Sequence, residues 1–140
     1  MKLLTVDQVM GAPAAEYVQF SAGTRAGLPW RRDSVYVTLA DFELLSPPFH
    51  AALRWFHAQG VTHLQADEAQ LLAAALEGHV EGVRHLDVPV LAWRTRHPAL
   101  DARAVHRAWQ TVREDLADLA LTLGAWLRAQ STHGLVIERL

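Results

Sequence analysis

Between residues 102 and 126 the apolar positions Ala102, Val105, Trp109, Val112, Leu116, Leu119, Leu123 and Trp126 recur at alternating steps of three and four. This heptad rhythm predicts a long amphipathic helix over 101–130, with Asp101 as its cap and Pro98 just before it. Its first half is polar opposite the stripe, with Arg103, His106, Arg107, Gln110, Arg113 and Glu114. The second half adds Leu121, Leu127 and several alanines, so its apolar arc is wider.

Elsewhere the period changes. Residues 16–22 and 34–40 alternate apolar and polar side chains with β-branched and aromatic types, which predicts two strands joined by a long hairpin loop over 23–33. Thr5 and Gln8 have capping-box spacing, so a short helix running from Thr5 to Gly11 is expected ahead of the first strand. Ser46-Pro47-Pro48 reads as the start of a second helix, with Ser46 as cap, Phe49, Ala52, Leu53 and Phe56 on one face, and Gly60 as terminator. A buried strand follows over 61–66. A helix then opens on an Asp67 cap with Gln70 at its third position, carries Leu71, Leu72, Ala75 and Leu76 as its stripe, and ends at Gly78 or Gly82. Residues 88–96 read as a further strand, with Pro89 near its start, and 135–140 as a closing one. Alternating strands and helices give an α/β (or α+β) class, with a mixed sheet of about five strands packed against three main helices.

Composition narrows the class without naming an activity. A chain of 140 residues that is 51% hydrophobic and 20% charged fits one globular domain over 1–140. There is no cysteine, which removes disulfides, thiolate ligands and a thiol nucleophile and suits a cytoplasmic location. No apolar run approaches the length of a membrane span, and Asp7 interrupts the N-terminus where a signal peptide would stay apolar, so no membrane association is expected. Twelve of the thirteen basic residues are arginine, a bias that commonly accompanies a GC-rich bacterial genome. The net charge of −2 gives no general attraction to nucleic acid, but it is unevenly spread. Residues 55–83 carry Asp67, Glu68, Glu77 and Glu81 and no arginine or lysine, whereas 84–113 carry six arginines against Asp87 and Asp101.

Candidate chemistry is sparse. The eight histidines include no His-x-His and no His-Glu-x-x-His. His50 and His57 stand seven residues apart on one expected helix, two turns or roughly 10 Å along its axis, too far to share a metal directly. His79-Val80-Glu81 has the His-x-Glu spacing of zinc nucleobase deaminases, but the cysteine pair that chemistry needs is missing. None of Ser21, Ser34, Ser46 and Ser131 lies in a nucleophile-elbow motif, and there is no glycine-rich phosphate loop, so no metal or other cofactor is expected. Glu114, Asp115 and Asp118 read as a solvated face that has the oxygen chemistry for a hard cation.

Two features remain. Arg25, Trp30, Arg31 and Arg32 share one loop, and Trp93, Arg94 and Arg96 (with His97) form a second cluster, combining the cations and aromatic faces used to bind single strands. The apolar arc holding Leu116, Leu119, Leu123 and Leu127 suits either the chain's own sheet or a two-fold dimer interface. The first reading is therefore a non-enzymatic accessory or regulatory module acting through protein contacts, as a homodimer or with another protein. The alternative is a single-stranded DNA- or RNA-binding protein, and the third is a small histidine-dependent enzyme built around His57, His63 and Glu81.

Overall fold

The computed structural model describes residues 1–12, 15–57, 59–85 and 101–140. The expected strand over 88–96, with Pro89, lies outside them. Within them the order is α1 (Val6–Met10), β1 (Tyr17–Ala22), β2 (Val35–Thr38), α2 (Leu39–Ala52), β3 (Val61–Leu64), α3 (Ala66–His85), α4 (Ala102–Gln130), a 3-10 turn (Ser131–His133) and β4 (Leu135–Arg139). The class is α+β. The four strands form one sheet in the order β2-β1-β4-β3, and all three pairings are antiparallel where a mixed sheet was expected.

Register assigns the two faces. Phe20 pairs with both Val35 and Ile137, and Leu135 pairs with Leu64, so these side chains share one face. They join Phe42, Phe49, Leu72, Leu76, Trp109, Leu116 and Leu123 of the helices in one buried cluster. The aromatic part is tight: ring centroids of Phe42 and Phe49 are 4.9 Å apart, and those of Phe49 and Phe56 5.3 Å. Gln19, paired with Tyr36 and Glu138, points to the opposite face. At the β2 edge Leu4 and Tyr36 exchange two 2.9 Å backbone bonds, and Val6 and Val9 of α1 complete a small cluster with Tyr17 and Tyr36.

The helix boundaries differ from expectation mostly around proline and glycine. α2 begins at Leu39, capped by Thr38, whose Oγ1 accepts from Asp41 N at 3.1 Å, so the expected strand over 34–40 stops at Thr38. Pro47 and Pro48 lie inside this helix. A proline leaves the carbonyl four residues earlier without its amide partner. For Pro47 that carbonyl belongs to Glu43, and Ser46 Oγ donates to it at 2.9 Å. Ser46 thus repairs a helix interior and is not its cap. α2 ends at Ala52, before His57 and Gly60, so His50 and His57 do not share a helix and Gly60 sits in the following turn.

α3 opens two residues earlier than an Asp67 cap would give. Glu68 reaches back to accept from Gln65 N at 2.8 Å, which leaves Asp67 within the first turn. The helix continues through Gly78 and Gly82 because Leu76, Val80 and Val83 are buried on either side of them, and packing outweighs a cost of about 1 kcal/mol per glycine. α4 matches its expected span, with Asp101 Oδ1 accepting from Ala104 N at 2.7 Å. α3 and α4 pack antiparallel and make the most extensive contact between elements.

Gly134 joins the 3-10 turn to β4 at φ 73° and ψ 169°, a combination that is essentially glycine-only, and a Cβ there would stand 3.1 Å from Leu64 O. Gly78 lies in a helix with open space where its Cβ would be. The two glycines therefore respond with opposite sign. Gly134→Ala is expected to destabilise by about 1–3 kcal/mol, and Gly78→Ala to stabilise by about 0.5–1 kcal/mol. Urea unfolding of the two variants checks this, and two shifts of one sign would contradict it.

Candidate functional surfaces

The loop over 23–34 folds back onto the outer face of the sheet, fastened there by a buried amide. Gln19 accepts from Trp30 N at 3.0 Å and donates through Nε2 to Leu28 O at 3.0 Å and Ser21 Oγ at 2.8 Å. Ser21 and Ser34 hydroxyls are bonded at 2.7 Å, and the Tyr36 hydroxyl donates to Arg31 O at 2.9 Å. Burying a polar amide is tolerable only when its groups are bonded, and here the bonds hold one loop conformation. Burial pushes the Tyr36 hydroxyl above its ordinary pKa, so it stays a donor. Trp30, at φ 62°, stacks on Tyr36 with centroids 5.9 Å apart and meets Tyr17 edge-on, yet remains 41% exposed.

The loop's arginines divide. Arg31 donates through Nε to Asp33 Oδ1 at 2.9 Å, and this pair raises the guanidinium pKa and lowers that of the carboxyl. Arg25 and Arg32 are exposed and have no bonded partner among the described residues. Trp93, Arg94, Arg96 and His97 lie outside the described residues.

Leu116, Leu119, Leu123 and Leu127 are each no more than 2% exposed within the single chain. The arc expected to meet either the chain's own fold or a second copy is filled by the chain itself, and a partner would have to be met elsewhere. Burial periodicity identifies an apolar face but carries no mark of what covers it.

Ion pairs and polar bonds join α3 to α4. Arg128 donates to both Glu77 carboxylate oxygens at 2.8 and 2.9 Å and to Gln70 Oε1 at 2.7 Å, and Gln70 Nε2 donates to Ser131 Oγ at 2.6 Å. Hydrogen bonding by Arg128 holds the Glu77 carboxyl below its usual pKa. Arg84 lies 3.2 Å from Glu114 and 3.9 Å from Asp118, so two of the three carboxylates considered for a cation are taken up in fixing α3 to α4.

The three groups of the histidine-enzyme reading are not brought together. His63 pairs with Val136 on the sheet face away from the helices, and Glu81 on α3 faces its own helix neighbour His85 at 3.2 Å. Among the described residues no group of three or more His, Asp or Glu side chains is placed to hold a metal, and no helix is long and apolar enough to cross a membrane.

The connection from α2 to β3 holds the feature that the sequence pattern left unremarked. Phe56 turns inward onto Phe42 and Phe49, and Thr62 Oγ1 accepts from His57 N at 3.1 Å. Its neighbour Trp55 is thereby directed outward and is 73% exposed, with the Arg54 guanidinium carbon 5.6 Å from its ring centroid. An open cleft of about 470 Å³, lined by Phe56, His57, Gln59, Gly60 and Val61, adjoins this turn. The available signal was positional: Trp55 stands off the face defined by Phe49, Ala52, Leu53 and Phe56.

Comparison with known protein families, curated proteins and solved structures finds no match for this chain.

His79 on α3 supplies a pH test. Its Nε2 is buried without a hydrogen-bond partner among the described residues, and burial pushes the imidazole below its ordinary value of 6.5. A depressed histidine leaves stability intact above the unfolded value. Stability then falls as the pH drops from about 6.5 toward the folded value, because the unfolded chain takes up the proton first. Between about pH 7.5 and pH 5.5 the wild type is expected to lose more unfolding free energy than His79→Leu. Equal losses in paired urea titrations would contradict this.

Proposed function

We propose that this chain is a non-enzymatic accessory or regulatory module that acts in the cytoplasm through protein contacts centred on Trp55. The observation that carries the reading is the 73% exposure of Trp55 beside Arg54. A large aromatic residue directed into water forgoes its burial free energy in the isolated chain. Tryptophan and arginine are also the residues most enriched among contacts whose loss costs about 2 kcal/mol or more. The pair is self-complementary, since in a two-fold arrangement the guanidinium of one copy meets the indole of the other. A homodimer joined there is the simplest assembly, and it replaces the interface through the buried leucines.

A photo-crosslinking amino acid placed at position 55 in the living source cell tests the reading, with position 111 on the exposed side of α4 as control. A discrete adduct at 55 and none at 111 is expected. An adduct larger by 15.6 kDa identifies a second copy, and any other single mass a different protein. Equal or absent cross-linking at the two positions would overturn the proposal.

A further inference from the structure

We infer that the 23–34 loop is a binding site for a nucleotide unit, in which a base stacks on Trp30 and its phosphate meets Arg25 and Arg32. The inference is independent of the Trp55 contact. It starts from the backbone: Trp30 holds φ 62°, a left-handed conformation that bulky side chains rarely adopt. Such a conformation persists only where surrounding contacts over-determine it. Here they are the bond from Trp30 N to the buried Gln19 amide and the stacking of the indole on Tyr36.

The outcome is a ring fixed in orientation yet 41% exposed. A tryptophan that served only to anchor the loop would gain most from complete burial. A rigid half-open ring instead lowers the ordering cost of stacking a planar ligand. The ligand's charge follows from the neighbouring side chains. Arg31 is neutralised by Asp33, and the nearby Glu138 carboxylate is engaged by Gly27 N at 3.2 Å. Arg25 and Arg32 remain as cations without a partner among the described residues. A planar aromatic ligand bearing an anion satisfies both halves of the site, and a nucleotide has that chemistry whether free or within a single strand. A neutral sugar would use the ring and leave the two guanidinium groups unmatched.

The experiment is a titration of the full chain with adenosine monophosphate and, separately, with oligo-dT of about a dozen nucleotides, each at about 50 and about 200 mM salt. Wild type, Trp30→Leu, Trp30→Phe and the double variant Arg25→Gln/Arg32→Gln are compared, with far-UV circular dichroism as the check on folding. Trp30→Leu is expected to weaken binding about ten-fold or more, while Trp30→Phe retains most of it. The double variant, altered only at exposed side chains, is expected to lower the slope of log affinity against log salt by about 0.7 for each phosphate left without its arginine. Binding of both probes assigns a nucleotide unit as such, and binding of the oligonucleotide alone assigns the single strand. Absence of binding to either probe at the lower salt would overturn the inference, as would binding that Trp30→Leu and the double variant leave unchanged.

Discussion

The close approach of α3 and α4 is the contact on which the other elements depend. At Gly124 a Cβ would stand 3.4 Å from Ala73 O, so the two backbones meet with almost no side chain between them. Ala69, Ala73, Ala117 and Ala120 are fully buried nearby. Polar groups mark both ends of the contact, with Arg128 on Glu77 and Gln70 at one end and Arg84 on Glu114 and Asp118 at the other. Exposed ion pairs of this kind are screened by solvent and contribute little, so they set register more than strength. The strength lies in the buried stripe, where truncating one large side chain such as Trp109 costs about 3–5 kcal/mol.

That register passes directly into the sheet. α4 runs into the turn at Ser131, whose hydroxyl bonds Arg128 O and Gln70, and then through Gly134 into β4. β4 lies between β1 and β3, so the position of α4 along α3 decides which residues of β4 meet Phe20 and Leu64. The last element of the chain thereby completes the middle of the sheet.

Much of this was legible in the sequence. The heptad steps and Asp101 locate α4, and alternation locates β1 and β2. What was misread has specific causes. Two prolines mimic a helix start, and only the bond from Ser46 to Glu43 O reveals that the helix passes through them. Gly78 and Gly82 look like terminators because their cost is local, whereas the packing of Val80 and Val83 that outweighs it comes from elsewhere in the fold. The heptad arc of Leu116 to Leu127 identifies burial without identifying the covering element. Trp30 was legible as a loop residue but not as a strained one, because the Gln19 bond that fixes it crosses from strand to loop. Trp55 was missed because its outward direction is decided by the inward packing of Phe56. Trp30 is thus held by the buried Gln19 and Tyr36, and Trp55 is turned outward by the partly buried Phe56, which is what makes them candidate binding groups.

Native-state hydrogen exchange tests the central dependence most directly. If the α3–α4 contact supports the rest, backbone amides near Ala73 in α3 and near Leu123 in α4 exchange only through global unfolding, whereas those of α1 and the 23–34 loop exchange through smaller openings. The account is contradicted if α3 and α4 exchange through a partial opening while β1 and β4 stay protected.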